Sequence, residues 1–183
     1  MSRTPGVLAI DQGTTSSRAV VFDGSGRALG SAQQETTQQY RQPGWVEQDA
    51  AEIIDVTFAM VRRVLDETGT DAAAIASIGI TNQRETAILW DRATGEAVAP
   101  AIVWQSRQTA ELVEQIEARE MAATYQRITG LVPDAYFSAT KIAWMLDQDP
   151  DLRRRAVAGE IAFGTVDSWL MWHLSGGATH VTD

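Results

Sequence analysis

The sequence predicts an α/β fold with a mixed sheet, and three features carry that prediction. Residues 7–10 and 19–22 are apolar runs on either side of a polar turn, and residues 27–35 follow a Gly24-Ser25-Gly26 cluster, so the segment reads as a three-strand meander. A helix comes next. Ile53, Val56, Met60 and Val64, with Ile54, Val61 and Leu65 beside them, recur at helical spacing between Asp49 and Gly69. Residues 75–81 then form a run of small and β-branched side chains. A helix that crosses one face of a meander and returns a strand beside it gives one sheet with both strand directions.

Composition sets the outer limits. At 183 residues, with 44% hydrophobic and 21% charged residues, the chain can bury a sizeable core and is not of disordered composition. Asp and Glu number 24 against 15 for Lys and Arg, a net charge of −9, so no overall field draws nucleic acid or an anionic membrane. Any bound phosphate must be held by local groups. The absence of cysteine excludes disulfides and thiolate metal sites. The apolar run before Asp11 is too short for a signal-peptide core, and no run approaches membrane-spanning length. The expectation is a soluble cytoplasmic protein.

The first turn is the densest in chemistry. Asp11 ends the first strand and Gly13, Thr14, Thr15, Ser16 and Ser17 lead to Arg18. Glycine allows a ligand close to the backbone, the hydroxyls and N–H groups donate, and Arg18 suits phosphate oxygens. Asp11 is placed to reach a phosphate-bound Mg²⁺ directly or through water. An ordinary polar hairpin turn fits the same residues, and the turn alone leaves both readings open.

The elements follow in order. Gly24 and Gly26 make a hairpin turn, since no helix follows as a nucleotide loop would need. Residues 40–48 read as a loop around Pro43-Gly44-Trp45, and Asp49 with Glu52 has capping-box form. Arg84-Glu85 breaks the run between residues 75–81 and a strand at 86–91. That pair is either a surface ion pair or the lining of a ligand crevice at a strand's C-terminal end. Residues 92–95 form a turn, and 101–105 a short strand ending in Trp104-Gln105. Helices are expected at 109–120, with Leu112, Val113 and Ile116 on one side, and at 121–129, stopping at Gly130.

Pro133 interrupts a loop through Tyr136, and 138–146 reads as a helix with Ile142, Met145 and Leu146 inward. Pro150-Asp151 punctuates before Arg153, Arg154 and Arg155, a solvated helix face in so acidic a chain. Residues 161–164 read as a short buried strand, and Thr165 or Asp167 caps a helix whose Trp169 and Trp172 have core spacing. His173 and His180 have no partner at metal-ligand or triad spacing and receive no role. Residues 180–183 look like the start of a strand. No internal repeat or low-complexity segment is found.

The turn is neither a Walker loop nor a dinucleotide fingerprint, because its glycines are wrong and a strand follows it. A strand–turn–strand clamp preceded by aspartate is the arrangement of actin-like ATPase domains. Ala9-Ile-Asp-Gln-Gly-Thr-Thr-Ser-Ser-Arg18, Gly79-Ile-Thr-Asn-Gln-Arg-Glu-Thr86, Trp104-Gln105, Tyr136-Phe-Ser-Ala-Thr-Lys141 and Phe163-Gly-Thr-Val-Asp-Ser-Trp-Leu170 occur in order. The whole chain thereby resembles the N-terminal part of the FGGY carbohydrate kinases, and among them those that phosphorylate glycerol.

The resemblance implies a ribonuclease H-like, actin-like ATPase fold with a mixed sheet flanked by helices. It implies ATP-dependent transfer of a phosphoryl group to a terminal hydroxyl of glycerol, with ATP and Mg²⁺ as cofactors and glycerol and ATP/ADP as partners. Thr14, Thr15 and Ser16 match the nucleotide-phosphate contacts, Arg18 the cation near the transferred group, and Asp11 the carboxylate of the Mg²⁺ site. Arg84, Glu85 and Tyr136 match the polyol contacts, and Trp104 the aromatic against the carbon side of glycerol. A homo-oligomer is expected at full length.

Two departures stand out. Gln108 follows Arg107 where the family has a second arginine, and Leu131-Val-Pro-Asp-Ala135 differs from the family's loop before the tyrosine. The family's chains are also much longer, so the catalytic base and the second ATPase lobe are expected beyond Asp183, no catalytic residue is assigned within residues 1–183, and the chain alone is expected to be inactive. The alternatives are a kinase of another polyol or sugar, or a non-catalytic actin-like binding module.

Overall fold

The computed structural model describes residues 6–119 and 121–182. In chain order the strands and helices begin with β1 (Gly6–Gln12), β2 (Ser16–Phe22), β3 (Ala28–Glu35), β4 (Glu47–Gln48), α1 (Ala50–Thr68) and β5 (Ile75–Asn82). They continue with β6 (Ile88–Asp91), β7 (Ala101–Ile102), α2 (Ala110–Ala118), α3 (Ala122–Thr129), α4 (Ser138–Gln148), α5 (Pro150–Val157), β8 (Ile161–Gly164) and α6 (Val166–Leu174). The described residues divide into two compact units: 6–37 with 49–83, and 38–48 with 84–119 and 121–182.

The first unit holds the expected mixed sheet, in the order β3-β2-β1-β5. β1 runs antiparallel to β2 and parallel to β5, and β2 runs antiparallel to β3. Side chains alternate across a strand, so Leu8, Ile10 and Gln12 of β1 and Ser17, Ala19 and Val21 of β2 share one buried face. α1 covers that face with Ile53, Ile54, Val56, Met60 and Val64. Gly30 lies where the last turn of α1 comes down on β3: an added Cβ would stand 2.5 Å from the Thr68 methyl. Asp49 caps α1 by accepting from the Ala51 N–H, and Gly69 closes it in the left-handed region at φ 60°. The capping box does not close, because the Glu52 carboxylate accepts instead from the N–H and hydroxyl of Thr37.

The second unit departs further from expectation. The strand read at 86–91 is β6, and it pairs with β8 in a separate two-stranded sheet rather than joining the first. The segment read as a loop at 40–48 ends in β4, paired with a two-residue β7 where a longer strand was expected. Ala87, Leu89, Ile102, Met145, Leu152 and Ile161 form its core. Trp90, fully buried, packs against Trp169 and Trp172 at centroid distances of 5.2 and 5.8 Å, as core spacing implied. Arg153, Arg154 and Arg155 lie on helix α5, as the helix-face reading expected, and each pairs with a carboxylate: Asp147, Asp151, and Asp91 with Glu160.

His180, given no role from sequence, is structural. Its Nδ1 meets the Arg92 guanidinium at 3.1 Å and its Nε2 the Phe163 carbonyl at 2.8 Å. Arginine only donates and a carbonyl only accepts, so the ring is the neutral Nε2–H tautomer. No strand forms at 180–182, and Asp183 lies outside the described residues, as does Glu120, the expected end of the helix read at 109–120.

Candidate functional site

The turn expected to hold phosphate is shorter than its sequence suggested. Ser16 and Arg18 already belong to β2, which leaves Gly13, Thr14 and Thr15 as the loop, closed by the Gly13 N–H on the Ser16 carbonyl at 2.9 Å. Thr14 and Ser16 are half-buried and Thr15 is exposed. The Ser16 hydroxyl accepts from Gln33 at 2.9 Å, which leaves its own proton to donate. Arg18 and Asp11 face each other across the strand pair and bond at 2.8 Å. Their side chains are 49% and 42% exposed, so the ion pair is weakly held and either partner can turn to a phosphate or its cation. Among the described residues no group of three or more His, Cys, Asp and Glu could hold a metal. A lone carboxylate still fits Mg²⁺, which keeps several waters and takes its other ligands from phosphates.

Gln12 and Gln83, which the sequence reading passed over, support this turn. Gln12 is fully buried; its amide donates to the Gly13 carbonyl at 2.8 Å and its carbonyl oxygen accepts from Gln83 at 3.1 Å. The Gln83 N–H donates to the Gln12 carbonyl at 2.7 Å. The end of β5 is thus tied to the first residue of the loop. Below them Thr57 donates to the Ile53 carbonyl at 2.6 Å, and having a single proton it accepts from the Ser17 hydroxyl at 3.0 Å.

The four expected substrate residues all lie in the second unit; two of them touch, and a third is tied to their neighbours in sequence. Trp104 and Tyr136 pack edge to face with ring centroids 5.8 Å apart. The Glu85 carboxylate accepts from both the N–H and the hydroxyl of Ser138, two residues after Tyr136, at 2.9 and 2.8 Å. The Trp104 N–H donates to the Thr86 hydroxyl, next to Glu85. Arg84 precedes Glu85 and is exposed, and its guanidinium makes no hydrogen bond or ion pair among the described residues. A free cation, a carboxylate with one oxygen uncommitted and a phenol beside an indole offer hydrogen-bond donors, acceptors and an apolar face.

The unusual loop before Tyr136 has its own anchor. Asp134 accepts from the Tyr136 N–H at 2.7 Å and from Arg107 at 2.9 Å. Gln108 is buried between Ser106, at 2.7 Å, and the Glu47 carboxylate, at 3.5 Å, and Arg41 supplies the cation beside Glu47. Lys141, assigned no separate role from sequence, is fully buried. Burial pulls its ammonium down to about 8, against the opposing pull of the Glu85 and Asp134 carboxylates.

Residues 6–183 match the N-terminal domain of the FGGY family of carbohydrate kinases. The chain is 59% identical over 177 residues to a glycerol kinase of Aromatoleum aromaticum, covering 97% of this chain and 36% of that protein. It is 56% identical over 179 residues to a glycerol kinase of Rhodospirillum rubrum, again 36% of its length. Among solved structures, glycerol kinase of Plasmodium falciparum with ADP superposes with a TM-score of 0.88 at 32% identity, over 95% of this chain and 35% of that one. The chain therefore spans little more than a third of the relatives that it matches.

Proposed function

Since this chain belongs to the FGGY family of carbohydrate kinases, we propose that it forms the N-terminal part of a longer, two-lobed kinase that phosphorylates glycerol with ATP to give glycerol 3-phosphate. The observation that carries glycerol as the acceptor is the 59% identity to a glycerol kinase over 97% of the chain. In this reading Arg84 and Tyr136 donate to glycerol hydroxyls, Glu85 accepts from them, and Trp104 covers the carbon edge. Convergent donors and acceptors fix one pose, and a fixed pose brings the reacting hydroxyl into line at low entropic cost. Glu85 suits this work because Ser138 engages only its Oε2.

Thr14, Thr15 and Ser16 offer donors to the nucleotide phosphates, and Arg18 leaves Asp11 to face the transferred group. Mg²⁺, held through Asp11 and water, would neutralise charge on the phosphate oxygens. The base that takes the hydroxyl proton lies outside residues 1–183. The same reading carries a cytoplasmic location, a homo-oligomer and no nucleic-acid or membrane partner; the net charge of −9 supports the last point.

The test is a substrate panel on a chain of the relatives' length that carries this sequence. Glycerol is expected to give the highest kcat/KM with ATP. A higher value for a pentulose would replace the acceptor, and no ATP-dependent product would remove the kinase reading. The 183-residue chain alone is expected to form no glycerol 3-phosphate.

A further inference from the structure

Glu85 is the only non-glycine residue with positive φ, at 64°, among the described residues. A glutamate holds that conformation only where its surroundings impose it. Two groups do so here. Ser138 holds the carboxylate, and the Lys141 ammonium donates to the Glu85 carbonyl at 2.9 Å. The same ammonium donates to the carbonyl of Tyr136. Lys141 sits one turn into α4, fully buried, with its Nζ 5.9 Å from the Tyr136 ring centre. A methionine would fill that volume without the cost of burying a charge, so the charge is not explained by packing.

We propose that Lys141 is a positioning residue for substrate binding, which clips the main chain of Glu85 to that of Tyr136 so that their side chains are presented together. The inference rests on the reading of Glu85 and Tyr136 as glycerol contacts. Lys141 itself touches no substrate in it. The charged and titratable groups facing Lys141 are the Glu85 and Asp134 carboxylates, the latter paired with Arg107, and the Tyr136 phenol. An ammonium that loses its proton donates more weakly, and the lowered value of about 8 puts that loss within reach of ordinary assay conditions.

The experiment compares Lys141→Met, Glu85→Gln and Tyr136→Phe in a chain of the relatives' length, with KM for glycerol, KM for ATP and kcat measured for each. Lys141→Met is expected to raise KM for glycerol about tenfold or more while KM for ATP moves less than about twofold. In the unsubstituted protein KM for glycerol should rise between about pH 7 and about pH 9.5 with KM for ATP flat, and a folded Lys141→Met variant should lose that limb. If Glu85→Gln and Tyr136→Phe raise KM for glycerol while folded Lys141→Met does not, the positioning role is wrong and the site reading stands. If none of the three does, the site reading fails and takes this inference with it. Should Lys141→Met not fold, the unsubstituted pH profile decides, and a flat profile overturns the proposal.

Discussion

Replacing Glu85 by alanine and by glycine separates two contributions that the structure assigns to one residue. Phe137 stands at the N-cap of α4 and makes no side-chain cap bond, so Glu85, 53 residues away in sequence from Ser138, caps that helix. A lost cap costs about 1 kcal/mol, and a carboxylate at a helix N-terminus adds about 0.5 kcal/mol through the helix dipole. The second bond, to the Ser138 hydroxyl, contributes about 1 kcal/mol more. These overlap, so Glu85→Ala should destabilise by about 2 kcal/mol.

Alanine keeps the cost of φ 64°, whereas glycine removes it. Glu85→Gly should therefore be the more stable variant by about 1 kcal/mol, the reverse of the order in ordinary strands and helices. Urea unfolding followed by tryptophan fluorescence reads this directly, because all six tryptophans, at 45, 90, 104, 144, 169 and 172, lie in the unit that holds Glu85. A loss below about 0.5 kcal/mol for Glu85→Ala would refute the cap, and alanine more stable than glycine would refute the imposed backbone.

Three further outcomes are expected of the chain itself. Gly164→Ala places a Cβ 2.4 Å from that of Ser168 and 2.9 Å from the Trp90 ring, and should cost about 1–3 kcal/mol or more in a melting experiment; an unchanged midpoint would deny that contact. Asp149→Ala, which removes the cap on the Asp151 N–H at 2.9 Å, should cost about 1 kcal/mol, and a neutral result would mean that α5 starts without it. The Asp23 carboxyl is held down at about 2, first by the Ser25 hydroxyl and then by backbone N–H groups. Its contribution is thus complete above the ordinary value of 3.8 and is lost as pH falls through about 2. The midpoint gap between the protein and Asp23→Ala should close over that interval, and a gap independent of pH would contradict it.

The sequence made the first unit readable because its elements are consecutive and their partners are near. Alternating strands, a capped helix and a closing glycine state their own boundaries, and β1, β2, β3, α1 and β5 follow as expected. Glu52 misled because a capping box is a local pattern, whereas the Thr37 groups that claim its carboxylate lie 15 residues away. β6 was readable as a strand, but its period does not say that its partner is β8. The motifs named Arg84, Glu85, Trp104 and Tyr136, yet nothing local marked Lys141, whose two carbonyl partners are 56 and 5 residues off. Asp134, Gln12 and Gln83 were illegible likewise, since a side chain's hydrogen-bond partner is set by the fold and not by its neighbours in sequence.

Steady-state kinetics of Arg84→Ala and Arg18→Ala, in a chain of the relatives' length, test the central claim most directly. Arg84, unpaired and exposed beside Glu85, should contribute ground-state binding, so its loss should raise KM for glycerol about 10- to 100-fold with kcat little changed. Arg18, drawn from Asp11 toward charge that develops in transfer, should leave KM for glycerol near its original value and lower kcat. Unchanged kinetics in either variant would contradict the assignment of that residue, and unchanged kinetics in both would contradict the site.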